Sequence, residues 1–401
     1  MKKLVVYLAA FAALVAVASA CNHNQTPKEE PDVPEDVVKA AVNLTEDGTA
    51  NAYIVKPGST VAFSVAYKGN SKTEEVGAAE AVKLMWQTDK DLVKEVFLDR
   101  KGKVAYAVTG QKEGNAVVAV SDASGNVLWS WHLWVSDYDP AASLYKVKDS
   151  DWELMDRNLG ALSNKPEDNF KAFGLIYQWG RKDPFTAAAR YVVQNEDFSY
   201  QDDGEAPIYD IEGKELPSFL STAATDGSVQ KSIANPAIFY KVYQVKTGKV
   251  DEYGEEIKED VPRTRDWADV SNDDAWGGVS GVKTIYDPCP KGYKVPVATA
   301  DGKTPYYWCS HAGSVWNNGR IDDGLYLPAA GTRVNYSGGL NISEAIPYGG
   351  IWIGTAGKAS DNLDLYPTLY GQYMGIFSGK RTYKMGKDSR SQGLSVRCCK
   401  E

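Results

Sequence analysis

Three histidines in 401 residues leave little imidazole for acid–base chemistry. Only His132 and His311 fall in stretches expected to fold, and they lie in different parts of the chain. A serine-type hydrolase needs a nucleophile, a base and an oxyanion hole brought together. The nearest approach to a nucleophile elbow, Gly277-Gly-Val-Ser-Gly281, has the wrong spacing for Gly-x-Ser-x-Gly. No His-Glu-x-x-His, P-loop or dinucleotide fingerprint occurs. His311 stands close to Cys309, but two ligands do not complete a zinc site. The 53 Asp and Glu residues are so many that some pair always falls at the spacing of roughly 5 to 9 Å that glycosidases use. They single out no hydrolase. The chain reads as a non-enzyme, with no catalytic residue, no metal site and no cofactor.

Binding chemistry has a better case. Residues 334–388 hold Tyr336, Asn341, Tyr348, Tyr366, Tyr370, Tyr373 and Tyr383 among Gly, Ser and Asn. Tyrosine supplies rigid aromatic area and the small polar residues supply adaptable hydrogen bonds, the chemistry of loop paratopes. The competing reading is that these loops only cover a core. If a ligand binds, Tyr336, Tyr366, Tyr370 and Tyr373 are expected to meet it. Trp129, Trp131 and Trp134 in Val127–Val135 could form a sugar-stacking platform, but their alternation fits a core strand better.

The N-terminus carries a third kind of chemistry. Lys2 and Lys3 precede an apolar or small-residue run from Leu4 to Ala20, too short for a membrane span and suited to a secretory signal. Two processing readings compete. Cleavage after Ala18-x-Ala20 leaves Cys21 as a plain N-terminal residue. A permissive lipobox over the same residues makes Cys21 the site of a diacylglyceryl thioether, and a cysteine placed directly after the boundary favours this second reading. Asn22–Asp36 is polar, acidic and proline-rich, the composition of a tether. Its Lys28-Glu29-Glu30 resembles a short outer-face export signal of bacterial lipoproteins. Each buried acyl methylene contributes about 0.8 kcal/mol, so several chains on one cysteine anchor durably. Removing Lys2 and Lys3 with the signal leaves 42 Lys and Arg against 53 Asp and Glu, a net charge of −11. Such acidity argues against nucleic acid as a partner.

These residues need scaffolds to position them. Residues 1–20 are expected to be the signal, 21–39 a disordered tether, 40–140 an immunoglobulin-like β-sandwich and 141–401 an α+β domain, a mainly β chain overall. Short strands are predicted at 52–55, 61–67, 82–86, 93–98, 103–109, 116–121 and 127–135, separated by Gly, Asn, Asp and Lys. In the last, Trp129, Trp131, Leu133 and Val135 should face one way, and Ser130, His132 and Trp134 the other. Ser136–Pro140 breaks the pattern. In the second part Asp168–Trp179 is the best helical candidate. The charged 202–274 region is read as an insertion, because Ile238-Phe239-Tyr240 and Trp267 still need burial.

Four cysteines follow Cys21, and an exported chain meets an oxidising environment. Cys398 and Cys399 are adjacent in a predicted strand and should point to opposite faces. Leu394, Val396 and Cys398 alternate inward, so Cys289–Cys398 is the expected disulfide. Cys309 and Cys399 are left as thiols or paired together.

Four words recur in one order: Trp152–Ala161 (WELMDRNLGA), Tyr177–Phe185 (YQWGRKDPF), Tyr286–Pro296 (YDPCPKGYKVP) and Gly393–Cys398 (GLSVRC). Together they resemble the Fibrobacter succinogenes major paralogous domain, found on many exported lipoproteins of Bacteroidetes. The N-terminal part resembles its partner module in fimbrillin-like surface proteins. The resemblance implies a C-type-lectin-like fold with N- and C-terminal strands side by side, closed near Cys289 and Cys398. It implies no defined ligand, and fold alone never assigns one. The calcium-binding words of sugar-binding lectins are missing; Trp316-Asn317-Asn318 lacks the acid. A paired-cysteine copper site is missing too.

The expectation is a surface-exposed outer-membrane lipoprotein, held through its lipid anchor and acting as a non-catalytic binding or adhesion module, in a fimbria-like assembly or alone. The alternative is a glycan-capturing accessory of a polysaccharide-uptake system and, behind it, an enzyme. Its partner would be an extracellular protein or glycan.

Overall fold

The computed structural model describes residues 32–191, 204–223, 227–241, 244–260, 266–307, 309, 314–316, 319–322, 324–342, 348–357, 370–377 and 382–401. Its N-terminal strands follow the period-two pattern of the sequence closely. Val42–Asn43, Thr60–Ser64, Val104–Thr109 and Val93–Asp99 make one sheet, in that spatial order. Ala81–Gln87, Gly114–Ser121, Val127–Val135 and Ala52–Val55 make the second. Between the sheets Val61, Phe63, Ala105 and Ala107 meet Val118, Val120, Trp129, Trp131 and Leu133 in one apolar core. Phe63 and Trp131 lie 5.5 Å apart, centroid to centroid.

The second sheet is covered on its other face as well. Trp86, Val117 and Trp134 join a core shared with Leu159, Tyr177 and Phe185 of the second part. This double burial explains why Ala116–Val120 is an unbroken apolar run and why every residue of Gly114–Ser121 is buried. Strand Val127–Val135 therefore serves two cores at once, with the alternation expected of it. The same sheet is lengthened by later chain. Ile208–Tyr209 pairs with Gln87, and Glu215–Leu216 pairs with Ile208–Tyr209.

The principal sheet of the second part runs Phe185–Thr186, Leu175–Gln178, Gly393–Val396, Tyr348–Gly357, Tyr370–Phe377, Thr382–Ser389. A smaller sheet sets Cys399–Lys400 between Tyr293–Lys294 and Glu153–Leu154, with Tyr145–Lys146 beyond. The start and end of the second part thus lie side by side. The Cys289–Cys398 disulfide ties the end to the chain just before Tyr293–Lys294, closing across 109 residues. Cys398 lies in one core with Leu394 and Val396, while Cys399 enters another with Ile351 and Ile353. Cys309 and Cys399 are buried thiols outside any disulfide.

Two expectations are corrected. Asp168–Trp179 is not a helix. Pro166–Ala172 forms short 3-10 turns kinked at Asn169, and Leu175–Gln178 is a strand. Gly174, at φ +77°, ends the turns. A Cβ there would stand 2.6 Å from the Leu159 carbonyl oxygen, so only glycine lets the chain swing into the sheet. Residues 35–39, expected within a disordered tether, are ordered: Glu35–Ala40 is a helix, with Val33 and Val37 buried against Ala62 and Tyr106. The insertion buries Phe239, Tyr240 and Trp267 as anticipated. No helix among the described residues is long and apolar enough to cross a membrane.

Candidate functional site

Of the tyrosines expected to meet a ligand, Tyr336, Tyr370 and Tyr373 lie among the described residues. Tyr336 is 65% exposed in a turn closed by Val334 and Gly338. Tyr366 lies outside the described residues. Tyr370 and Tyr373 share the strand Tyr370–Phe377, but three residues apart they point to opposite faces. Tyr373 is scaffold. Its ring meets Trp352 edge-on at 6.0 Å, its phenol is hydrogen-bonded to that of Tyr348, and it fills the space a side chain at Gly386 would need.

The recurring words build a buried polar seam. Lys182 Nζ donates to the Ser130 carbonyl oxygen (3.1 Å), to Ser130 Oγ (2.5 Å) and to Asp183 Oδ1 (2.7 Å). Ser130 Oγ in turn donates to Asp183 Oδ1 at 2.6 Å. The ammonium also sits 4.5 Å from the Trp129 ring centroid, and burial lowers its pKa. Arg181 caps irregular backbone by donating to the carbonyls of Ile238, Asn235 and Pro236. Its desolvation brings its pKa down to about 10. Arg390 lies over the Trp179 ring and pairs with Asp266 (3.1 Å) and Asp273 (2.5 Å). Asp287 accepts from the backbone N–H groups of Cys289 and Val295, both at 2.8 Å.

His132, the best imidazole candidate, belongs to this interior. Its Nε2 lies 2.9 Å from Asn115 Oδ1, and burial pushes its pKa down to about 3. The ring is neutral at any physiological pH, which suits packing and not proton exchange with solvent. The cleft beside Trp179, Trp267, Asp266 and Arg390 has a volume of about 20 Å³, room for roughly one water. Among the described residues no three His, Cys, Asp or Glu side chains are placed to hold a metal ion.

A larger concave feature among the described residues lies elsewhere. An open groove of about 660 Å³ runs along the junction of the sandwich with the second part. One wall is the turn Thr45–Thr49 with Ser64, and another is Tyr67 with Asn70–Lys72. Lys283, Lys291, Gly292 and Glu401 close it from the second part. Each wall is fixed by its own contacts. Thr45 Oγ1 accepts from the backbone N–H of Ser64, and Ser71 Oγ accepts from those of Thr73 and Glu74. Asn70 Nδ2 donates to the Lys283 carbonyl at 3.1 Å. Gly69, at φ +51°, lies so close to Ile285 that a Cβ would stand 2.4 Å from its carbonyl oxygen. Beneath, Lys283 Nζ donates to the carbonyls of Cys289 (2.9 Å), Pro290 (2.7 Å) and Tyr293. Asn51 Nδ2 bridges the carbonyls of Ile285 and Asp287.

None of Tyr336, Tyr370 and Tyr373 lines this groove. Sequence reasoning missed its residues because they are turn residues separated by more than 200 positions. The one local signal was the pair of turn sequences Thr45-Glu-Asp-Gly-Thr49 and Lys68-Gly-Asn-Ser71, which gives no hint that the two turns share a wall. Comparison of the chain with known protein families, characterised proteins and solved structures finds no match.

Proposed function

We propose that this protein is a cell-surface lipoprotein, anchored through Cys21, that acts as a non-catalytic binding or adhesion module. The groove is the observation that carries the reading. It is preformed, open, and walled by hydroxyl, amide and charged side chains held at the ends of rigid turns. A pocket of this size lies within the usual range for ligand sites, and fixed walls lower the ordering cost of binding. The side chains with most chemical potential support the same reading, since His132, Lys182, Asp183 and Arg390 are buried in structural contacts. We further propose that the second part is a C-type-lectin-like major paralogous domain and the first an immunoglobulin-like partner module. The placing of the four words in the core and at the terminal strands supports that kinship.

The test compares cells with and without the gene for adhesion to immobilised polysaccharides and extracellular proteins. Adhesion should be lost on deletion and restored by the wild type and by His132→Gln alike, with the ligand recovered unchanged. Cleaved or modified ligand, or adhesion that ignores the deletion, would overturn the proposal. Labelled palmitate should enter the chain and fail to enter Cys21→Ala.

A further inference from the structure

We infer that the groove at the junction is a carbohydrate site selective for neutral oligosaccharides; this rests on the binding function proposed above and names the ligand class. The lining contains no Leu, Ile, Val, Phe, Met or Trp. Peptide recognition relies on apolar pockets for anchoring side chains or on a sheet edge for strand addition, and the lining offers no apolar pocket. What it does offer is hydroxyls from Thr45, Thr49, Ser64 and Ser71, with one half-buried aromatic ring, Tyr67.

Charge narrows the class. Three carboxylate side chains, Glu46, Asp47 and Glu401, face three ammonium groups, Lys72, Lys283 and Lys291. Two of the lysines are already engaged. Lys291 pairs with Asp47 at 3.5 Å, and Lys283 is buried on its three carbonyls with Glu401 at 3.7 Å. The side-chain charges of the groove balance, so it has no surplus positive charge with which to hold sulfated or uronic acid units. Carboxylates and ammonium groups side by side can instead accept from and donate to neighbouring hydroxyls of one sugar ring. The flat C–H face of that ring packs against an aromatic side chain such as Tyr67. Because the walls are already fixed by Gly69, Asn70 and Ser71, little ordering accompanies binding.

Isothermal titration of the full mature chain with neutral gluco-, manno- and galacto-oligosaccharides, sulfated glycans and acidic and basic peptides decides the matter. At least one neutral oligosaccharide should bind. Tyr67→Ala and Asp47→Asn should each weaken it about tenfold, the loss expected for one charge-assisted hydrogen bond or stacking contact. Asp47 is 86% exposed in its side chain, so that variant keeps the fold whatever Tyr67→Ala does. If only peptides or sulfated glycans bind, and Asp47→Asn weakens them, the ligand class is wrong while the binding function stands. If neutral sugars bind but respond to Tyr336→Ala and not to the groove variants, the site is wrong. Silence from every probe would sink both the ligand class and the binding function.

Discussion

The core between the sandwich sheets and the core of the second part are built from different materials. Among the described residues, every buried charged side chain lies after residue 150: Asp156, Arg181, Lys182, Asp183, Asp266, Lys283, Asp287, Arg333, Arg390 and Arg397. The sandwich has none. Its strands satisfy one another's backbone groups across long ladders, such as the eight paired positions between Gly114–Ser121 and Val127–Val135. Valine, alanine and tryptophan then suffice to fill the space. The second part has many short strands and long connections, so its interior holds carbonyls with no ladder partner. Arg181 on three carbonyls, Lys283 on three more, and Arg333 on those of Gly338 and Thr186 do the work that a neighbouring strand does in the sandwich. Where regular secondary structure is scarce, cations become structural side chains.

That contrast can be broken in several ways. Cys398→Ser opens the 109-residue loop that holds the second part closed. It should cost about 4 to 5 kcal/mol in urea unfolding, since longer loops gain most from a cross-link. Lys182→Met keeps volume but strands Asp183 and Ser130 in the interior, and should cost about 3 to 5 kcal/mol. The matched change in the sandwich, Leu133→Met, should cost less than about 1.5 kcal/mol, because shape alone is altered there. Equal losses at the two positions would show that the charged seam is no more demanding than the apolar core.

His132 gives a pH-dependent test between those extremes. The folded protein holds its imidazole neutral down to about pH 3, while the unfolded chain takes up a proton near 6.5. Its contribution is therefore complete above pH 6.5 and is lost as pH falls toward 3. Between pH 7 and pH 4 stability should drop by about 3 kcal/mol from this group alone, and His132→Gln should flatten that slope. The smallest effect concerns reactivity. Burial raises the Cys399 thiol to about 12, so neither it nor buried Cys309 should react with iodoacetamide at pH 8 until urea unfolds the chain. Peptide mapping by mass spectrometry reads this directly.

The sandwich was legible because its signal is local. Alternation in Val127–Val135 alone assigns Trp129 and Trp131 to one core and Trp134 to the other. The disulfide was legible for the same reason, since alternation through Leu394, Val396 and Cys398 sets the inward face. The strand Leu175–Gln178 was misread because its apolar residues also fit a helix, and its true partner Gly393–Ser395 lies more than 200 positions away. The role of Arg181 and Arg390 was hidden for a like reason, as each serves backbone or acids supplied by the 202–274 region. The groove was illegible altogether, being made of turns whose neighbours only tertiary packing decides.

The parallel pairing of Ala52–Val55 with His132–Val135 has a mechanical side. Tension applied along Ala52–Val55 pulls it lengthwise against a strand that both cores grip. The ladder bonds lie across that pull, so they share the load and must give way together, where a strand peeled from its end would yield bond by bond. A strand gripped from both sides in this way resists a lengthwise tug without unravelling.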